Sequence, residues 1–254
     1  MIHPNVSIGE GTYVHEGAIV GEAPRGKQPG ELKTVIGAGG VIRSGTVIYA
    51  GTVIGDRFNS GHGALVREDN VIGDDCSVGT NAVLEAGNRI GSGTRIHSGC
   101  FLEHVTLGAR VFLGPHVVFT DDPHPMCPRY LDCVLGATVE DDVSIGANAT
   151  ILPGIRIGAG CLIATSTVIV ASEHRFDLPG IPIQQQGSIT AGIDIGDDVW
   201  LAAGVRVLDG IAIGQGAVVG ANAVVNRTIP AFAVAAGIPA RVIKMRPGFD
   251  EQKG

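Results

Sequence analysis

Two histidines stand apart from the others by where they fall. His124 lies in TDDPHPMCPRYLDC (120–133) and His174 in SEHRFDLPGIPIQQQG, within 171–194. Imidazole titrates near neutrality, so a histidine in an irregular, polar segment is suited to take a proton from an attacking group. Carboxylates flank both: Asp121 and Asp122 precede His124, and Glu173 and Asp177 bracket His174. Cys127 and Cys133 beside His124 raise a second chemistry, zinc binding. Five residues separate those cysteines, against about two to four in the usual structural site, so no metal is expected.

The elements that must hold these residues are announced by a period of six. Aliphatics recur at Ile36, Ile42, Ile48 and Ile54, from Val66 through Leu102, from Val139 through Ile169, and from Ile195 through Val225. Glycine often follows the aliphatic, as at Gly37, Gly55, Gly73, Gly158 and Gly196, and a small or β-branched residue sits four places after it, as at Thr46, Cys76, Ala82, Cys100 and Cys161. Neither the 3.6 period of a helix nor the 2.0 period of a plain strand fits. A short strand and a corner, repeated three times, close an 18-residue triangular coil, and such coils stack at about 4.8 Å. The expected fold is all-β, a left-handed parallel β-helix of about ten coils. It should occupy residues 1–230, with a C-terminal extension over 231–254. Glycine after the aliphatic is expected at corners that need unusual backbone conformations. Cys76, Cys100 and Cys161 take the small inward slot and read as core.

Departures from a solenoid repeat fall in surface loops, often on a binding face. There are three, at 21–34, 120–133 and 171–194. His15, His62, His97, His104 and His116 lie one to three places after a repeat aliphatic, at corners or on outer faces, and His3 sits at the terminus. Only His124 and His174 fall in excursions.

Composition narrows the class. Glycine makes up 39 of 254 residues while 44% are apolar and 4% aromatic, which suits short strands and tight corners and excludes a disordered glycine-rich chain. A net charge of −7 argues against a nucleic-acid surface. No apolar run approaches the roughly 18 residues of a membrane helix, and the first residues lack a signal-peptide pattern. Five cysteines, an odd number, do not make a disulfide framework. A cytoplasmic protein is expected.

These stretches resemble the hexapeptide-repeat acyltransferases. GHGALVREDNVIGDDCSVGTNAVLE, GPHVVFTDDPHP and EDDVSIGANATILPGIRIG are similar to N-acetyltransferases of nucleotide-linked amino sugars. SEHRFD, PIQQQG, IDIGDDVWLAAGVRVLDGIAIGQGAVVGANAVV and AAGIPARVIK are similar to sugar O-acetyltransferases of the galactoside and maltose kind. The resemblance implies acetyl-CoA as co-substrate, a sugar or nucleotide-sugar acceptor, and a homotrimer with active sites between prisms. It implies His174 as general base, with His124 as the competing candidate in the earlier loop. It places acetyl-CoA contacts at Ala203, Ala221, Asn226, Arg227, Arg241 and Lys244, and acceptor contacts at Trp200 and Asp177. Arg227, Arg241 and Lys244 suit the phosphates of the cofactor. Ala202, where glycine is usual, and Asn226, where threonine is common, depart from the family pattern.

Two other readings share this fold. A γ-class carbonic anhydrase holds zinc with three histidines, but the spacing of His97, His104 and His116 does not reproduce that class's pattern. A non-catalytic solenoid scaffold has little use for the His174 segment or the GIPARVIK tail.

Overall fold

Each hexad buries two side chains, and that alone bends the chain into a coil. In the computed structural model, which describes residues 1–122 and 134–249, the repeat aliphatics Ile48, Val66, Leu84, Leu102, Ile151, Val207 and Val225 are sealed from solvent. So are the residues four places on, among them Thr52, Ala82, Cys100, Ala149 and Ala223. The two slots fill one continuous core of small aliphatics. Burial pushes the thiols of Cys76, Cys100 and Cys161 up, the last to about 11, consistent with inert core atoms.

Three parallel sheets result, and their strands alternate strictly along the sequence. The first face runs from Val6–Ile8 to Ala212–Ile213, and the third from Ile19–Glu22 to Val224–Val225, each with ten strands. The second begins at Tyr13–Val14 and has twelve. The expected left-handed parallel β-helix of about ten coils is the fold. Past Val225 the chain re-enters the second face: Ala233–Ala236 pairs in parallel with Val218–Val219, and Arg241–Met245 folds back antiparallel on it. No helix among the described residues is long and apolar enough to cross a membrane.

The expectation for the glycines is corrected. Residues with left-handed backbone lie three places after the aliphatic, for instance Asp75 (φ 58°) and Asn148 (φ 59°). The glycines directly after it, such as Gly196, have ordinary φ. They are required because coils approach too closely there: a Cβ on Gly196 would sit 2.7 Å from the amide nitrogen of Gln215. At this corner, between the first and second faces, Asp74 Oδ1 accepts from the Asp56 amide at 2.8 Å and Asp197 Oδ1 from the Ala159 amide at 3.0 Å. Those carboxylates fill the space that side chains on the preceding coil would need.

The corner after the third face is built differently. After Gly21 in the first coil, its first positions are Tyr49, Arg67, Glu85, Glu103, Thr120, Leu152, Val170, Leu208 and Asn226, none of them glycine. All three excursions leave at this corner, after Ile19–Glu22, Val118–Phe119 and Val168–Ile169, and the C-terminal segment leaves there too, after Val224–Val225. Among the described residues, one edge of the prism therefore collects the departures from the repeat.

Candidate active site

A buried ladder stiffens that edge on its N-terminal side. Asn88 Nδ2 donates to Asn70 Oδ1 at 2.9 Å, and Asn88 Oδ1 accepts from the Val105 amide at 2.9 Å. Arg67 bonds Glu68 and Glu85 at 2.8 Å each and lies over the Tyr49 ring. The ladder stops where Val105 takes the next slot, and there the repeat loses a residue: Leu102 and Leu107 are five apart. This shortened hexad carries Glu103 and His104.

His104, assigned from sequence to a solvated corner or face, has a specific partner. Its Nδ1 lies 2.6 Å from Asp121 Oδ2, and Asp121 is almost wholly buried. The Asp121 carboxylate also bonds Glu103, whose own carboxyl is pushed up to about 7 by burial and by the nearby Asp121 charge. The ring of His104 packs over Gly87, where a Cβ would come within 2.8 Å of it.

Beside this cluster opens a cavity of about 800 Å³ lined by Glu103, Thr120, Asp122, Leu152, Val170, Ser172, His174, Gln184, Gly187 and Ser188. His174 reaches it on a small antiparallel hairpin, Glu173–His174 against Ser188–Ile189, closed by the Arg175 amide donating to Gly187 O at 3.0 Å. The ring has no side-chain hydrogen-bond partner among the described residues. Asp177 does not orient it: both its oxygens are taken by Arg175, at 3.1 and 2.9 Å. That pair is exposed and fixes the hairpin only weakly. His124, Cys127 and Cys133 lie outside the described residues; among those described, no group of three or more His, Cys, Asp or Glu could hold a metal.

The apolar wall of the cavity, Leu152 and Val170, continues as a strip along the edge to Leu208, the three joined in register through the Leu152→Ile169, Val170→Val207 and Leu208→Val225 backbone bonds. The strip ends at Asn226, about 14 Å from Leu152 at the usual strand spacing. Arg241 Nη1 approaches Asn226 Oδ1 at 3.5 Å and exposed Arg227 is next in the chain, while exposed Lys244 pairs with Val234 on the second face; neither Arg227 nor Lys244 has an ion pair among the described residues. Asn226, Arg227 and, through its side chain, Arg241 thus lie at or next to this edge, and Lys244 stands on the second face. Ala203 and Ala221 do not. They are exposed, one coil apart, at the corner between the second and third faces. Trp200 is half-exposed on the second face, directly opposite the cavity edge, in line with Leu162 and exposed Phe112.

The Glu103 environment has a measurable consequence. In the unfolded chain its carboxyl titrates near 4.5, and in the folded chain near 7. Across that window the folded chain keeps a proton the unfolded chain has lost, so this group's contribution to stability falls as pH rises. Glu103→Gln should therefore flatten the dependence of melting temperature on pH over this window and gain relative to wild type above it. Parallel curves for the two proteins would mean that Glu103 ionises freely.

Comparison with known proteins agrees with the repeat. The profile of the bacterial transferase hexapeptide (six repeats) matches residues 136–171 and 192–227, and that of the hexapeptide repeat of succinyl-transferase matches 70–104. The chain thus carries the hexapeptide repeat described by these transferase profiles over those residues. It is 42% identical over 92 residues to a protein of Mycobacterium tuberculosis named a probable acetyltransferase, an alignment covering 36% of this chain and 31% of that one. It is 38% identical over 100 residues to an Escherichia coli protein with the provisional name lipopolysaccharide biosynthesis O-acetyl transferase, covering 37% and 51%. It is 29% identical over 134 residues to serine acetyltransferase of Haemophilus influenzae, covering 46% and 48%. The chain thus spans about a third to a half of these relatives. A hexapeptide-repeat acetyltransferase of Vibrio cholerae, solved with acetyl-CoA, superposes with a TM-score of 0.45 at 29% identity, covering 58% of this chain and 71% of that one.

Proposed function

We propose that the chain is an acetyl-CoA-dependent acetyltransferase whose acceptor is a sugar, either the amino group of a nucleotide-linked amino sugar or a glycoside hydroxyl. The observation that carries the reading is the single prism edge on which a histidine-bearing cavity walled by Leu152 and Val170 is followed by Leu208 and then by Asn226 with the Arg241 guanidinium beside it. An acetyl-pantetheine arm is long, thin and uncharged, with alkyl segments between its two amides, and its nucleotide end is anionic; that edge offers apolar side chains and then a guanidinium in the same order. The similarity to the E. coli lipopolysaccharide relative supports a sugar acceptor.

In this reading His174 removes the proton from the attacking amine or hydroxyl as it adds to the thioester carbonyl, and the coenzyme leaves as a thiolate that takes up a proton. Direct transfer needs no covalent enzyme intermediate. The Asp121-backed imidazole of His104 supports a second assignment of the base, since a buried carboxylate 2.6 Å from Nδ1 fixes the orientation of the ring.

Arg241 should bind the cofactor and take no part in the chemistry. Arg241→Ala is expected to weaken acetyl-CoA binding by about 1.5–3 kcal/mol, the range for a hydrogen bond to a charged group. Titration calorimetry tests this, and an unchanged Kd would remove the cations from the cofactor site.

Trp200, Ala203 and Ala221 face away from the cavity within one prism, so they belong to the same reaction only if a neighbouring prism brings them to it. The exposed line of Phe112, Leu162 and Trp200 offers an apolar surface to bury in such a contact. We propose a homotrimer on this ground. Light scattering should give about three times the 26.0 kDa chain mass, and a monomer would break the shared site. A user of acetyl-CoA with unpaired core cysteines fits the cytoplasm, which cell fractionation tests.

A further inference from the structure

The His174 hairpin hangs from the prism by two legs, and the return leg is held by a side chain from the next coil. Asp209 accepts from the Ala191 amide through both oxygens, at 2.8 and 3.1 Å, and from the Gly192 amide at 2.9 Å. Gly210 N donates to Gly192 O at 3.0 Å, which locks the same point from the backbone side. Ala191 is only three residues from Ser188, the strand partner of His174. Between them the Thr190 hydroxyl is buried with no hydrogen-bond partner, so this stretch has no polar anchor of its own. Elsewhere the excursion is held within itself, by the exposed Arg175–Asp177 pair, by its own short ladder and by the Gln186 amide bonded to Leu178 and Ile181.

We infer that Asp209 is a positioning residue for the reaction: its carboxylate clamps the foot of the 171–194 excursion and thereby sets where the His174 ring stands in the cavity. The inference rests on the proposed role of His174. Asp209 is suited to the task by place as well as by bonds. It follows Leu208 on the edge that carries the cavity, so it ties the hairpin to the rigid coil that also floors the cofactor strip. Two backbone amides point at one carboxylate, a charge-assisted arrangement that a neutral or apolar residue does not reproduce. Loss of the clamp leaves the coil intact, because Val207 and the inward slots are untouched, and frees only the loop.

The test compares Asp209→Ala, Asp209→Asn and His174→Ala by amide hydrogen exchange and by thiol release from acetyl-CoA with water as probe acceptor. In Asp209→Ala, amides of 173–175 and 187–192 should exchange faster while those of the prism strands are unchanged. Turnover should fall about tenfold to a hundredfold, the scale for misplacing a reacting group by an ångström, with the KM for acetyl-CoA unchanged. Asp209→Asn keeps one acceptor oxygen and should fall between. Unchanged exchange in both Asp209 variants would overturn the clamp. Faster exchange with full turnover, where His174→Ala is inactive, would overturn the positioning role. If His174→Ala is itself fully active the base assignment fails instead, and the clamp stands or falls on exchange alone. Should Asp209→Ala fail to fold, Asp209→Asn carries the same comparison.

Discussion

His174→Ala should abolish most turnover while leaving the affinity for acetyl-CoA close to that of the parent protein. The imidazole lines the cavity with Glu103 and Asp122, whereas Leu208, Asn226 and Arg241 lie further along the edge, so proton handling and binding of the cofactor's charged end should separate. Loss of a general base typically lowers the rate by about 10² to 10⁴. Steady-state rates with titration calorimetry check both halves. His104→Ala and His124→Ala are the controls. If either abolishes turnover while His174→Ala is nearly silent, the base is the Asp121-backed imidazole or a residue of the 120–133 segment, and the hairpin serves another purpose.

The second large effect is expected at Gly136, the first glycine after that segment. A Cβ there would fall on the carbonyl oxygen of His104, well inside any non-bonded contact. The obstacle is backbone, in a hexad already one residue short, so neither partner can step aside cheaply. Gly136→Ala should cost about 3 kcal/mol, the upper part of the overpacking range, and lower the melting temperature by roughly 6–12 °C for a chain of this size. Gly160→Ala is a useful contrast: its φ is +67° but nothing lies within 4 Å of the added carbon, so only left-handed strain of about 1–2 kcal/mol applies. Equal melting temperatures for the two variants would mean that the coils can part at Gly136 without penalty.

Most of the fold could be read from residues alone, because a hexad repeats its instruction about thirty times and both inward slots are chemically distinctive. The role of glycine was not, since Gly196 and its equivalents answer to atoms one coil away that no local pattern reveals. The site was legible in part. His174 declared itself by sitting outside the repeat. The His104–Asp121 pair did not, although two signals were present. The two residues are 17 apart, one short of a full coil, and the interval from Leu102 to Leu107 drops the residue that accounts for the difference. That all excursions share an edge was also latent: every third aliphatic, from Ile48 to Leu102, is followed by Tyr, Arg or Glu and not by glycine. Which faces Trp200 and Ala203 occupy follows from the same count, but whether another prism completes the cavity is a property of the assembly.

Acetyl transfer itself is tested most directly by incubating the protein with acetyl-CoA and a panel of nucleotide-linked amino sugars and simple glycosides, reading free thiol and product mass together. The account predicts at least one acceptor that gains a single acetyl group as one equivalent of coenzyme A is released, with both signals lost in His174→Ala. Failure of acetyl-CoA to bind, with no acceptor acetylated, would contradict it, as would zinc-dependent hydration of carbon dioxide by the same protein.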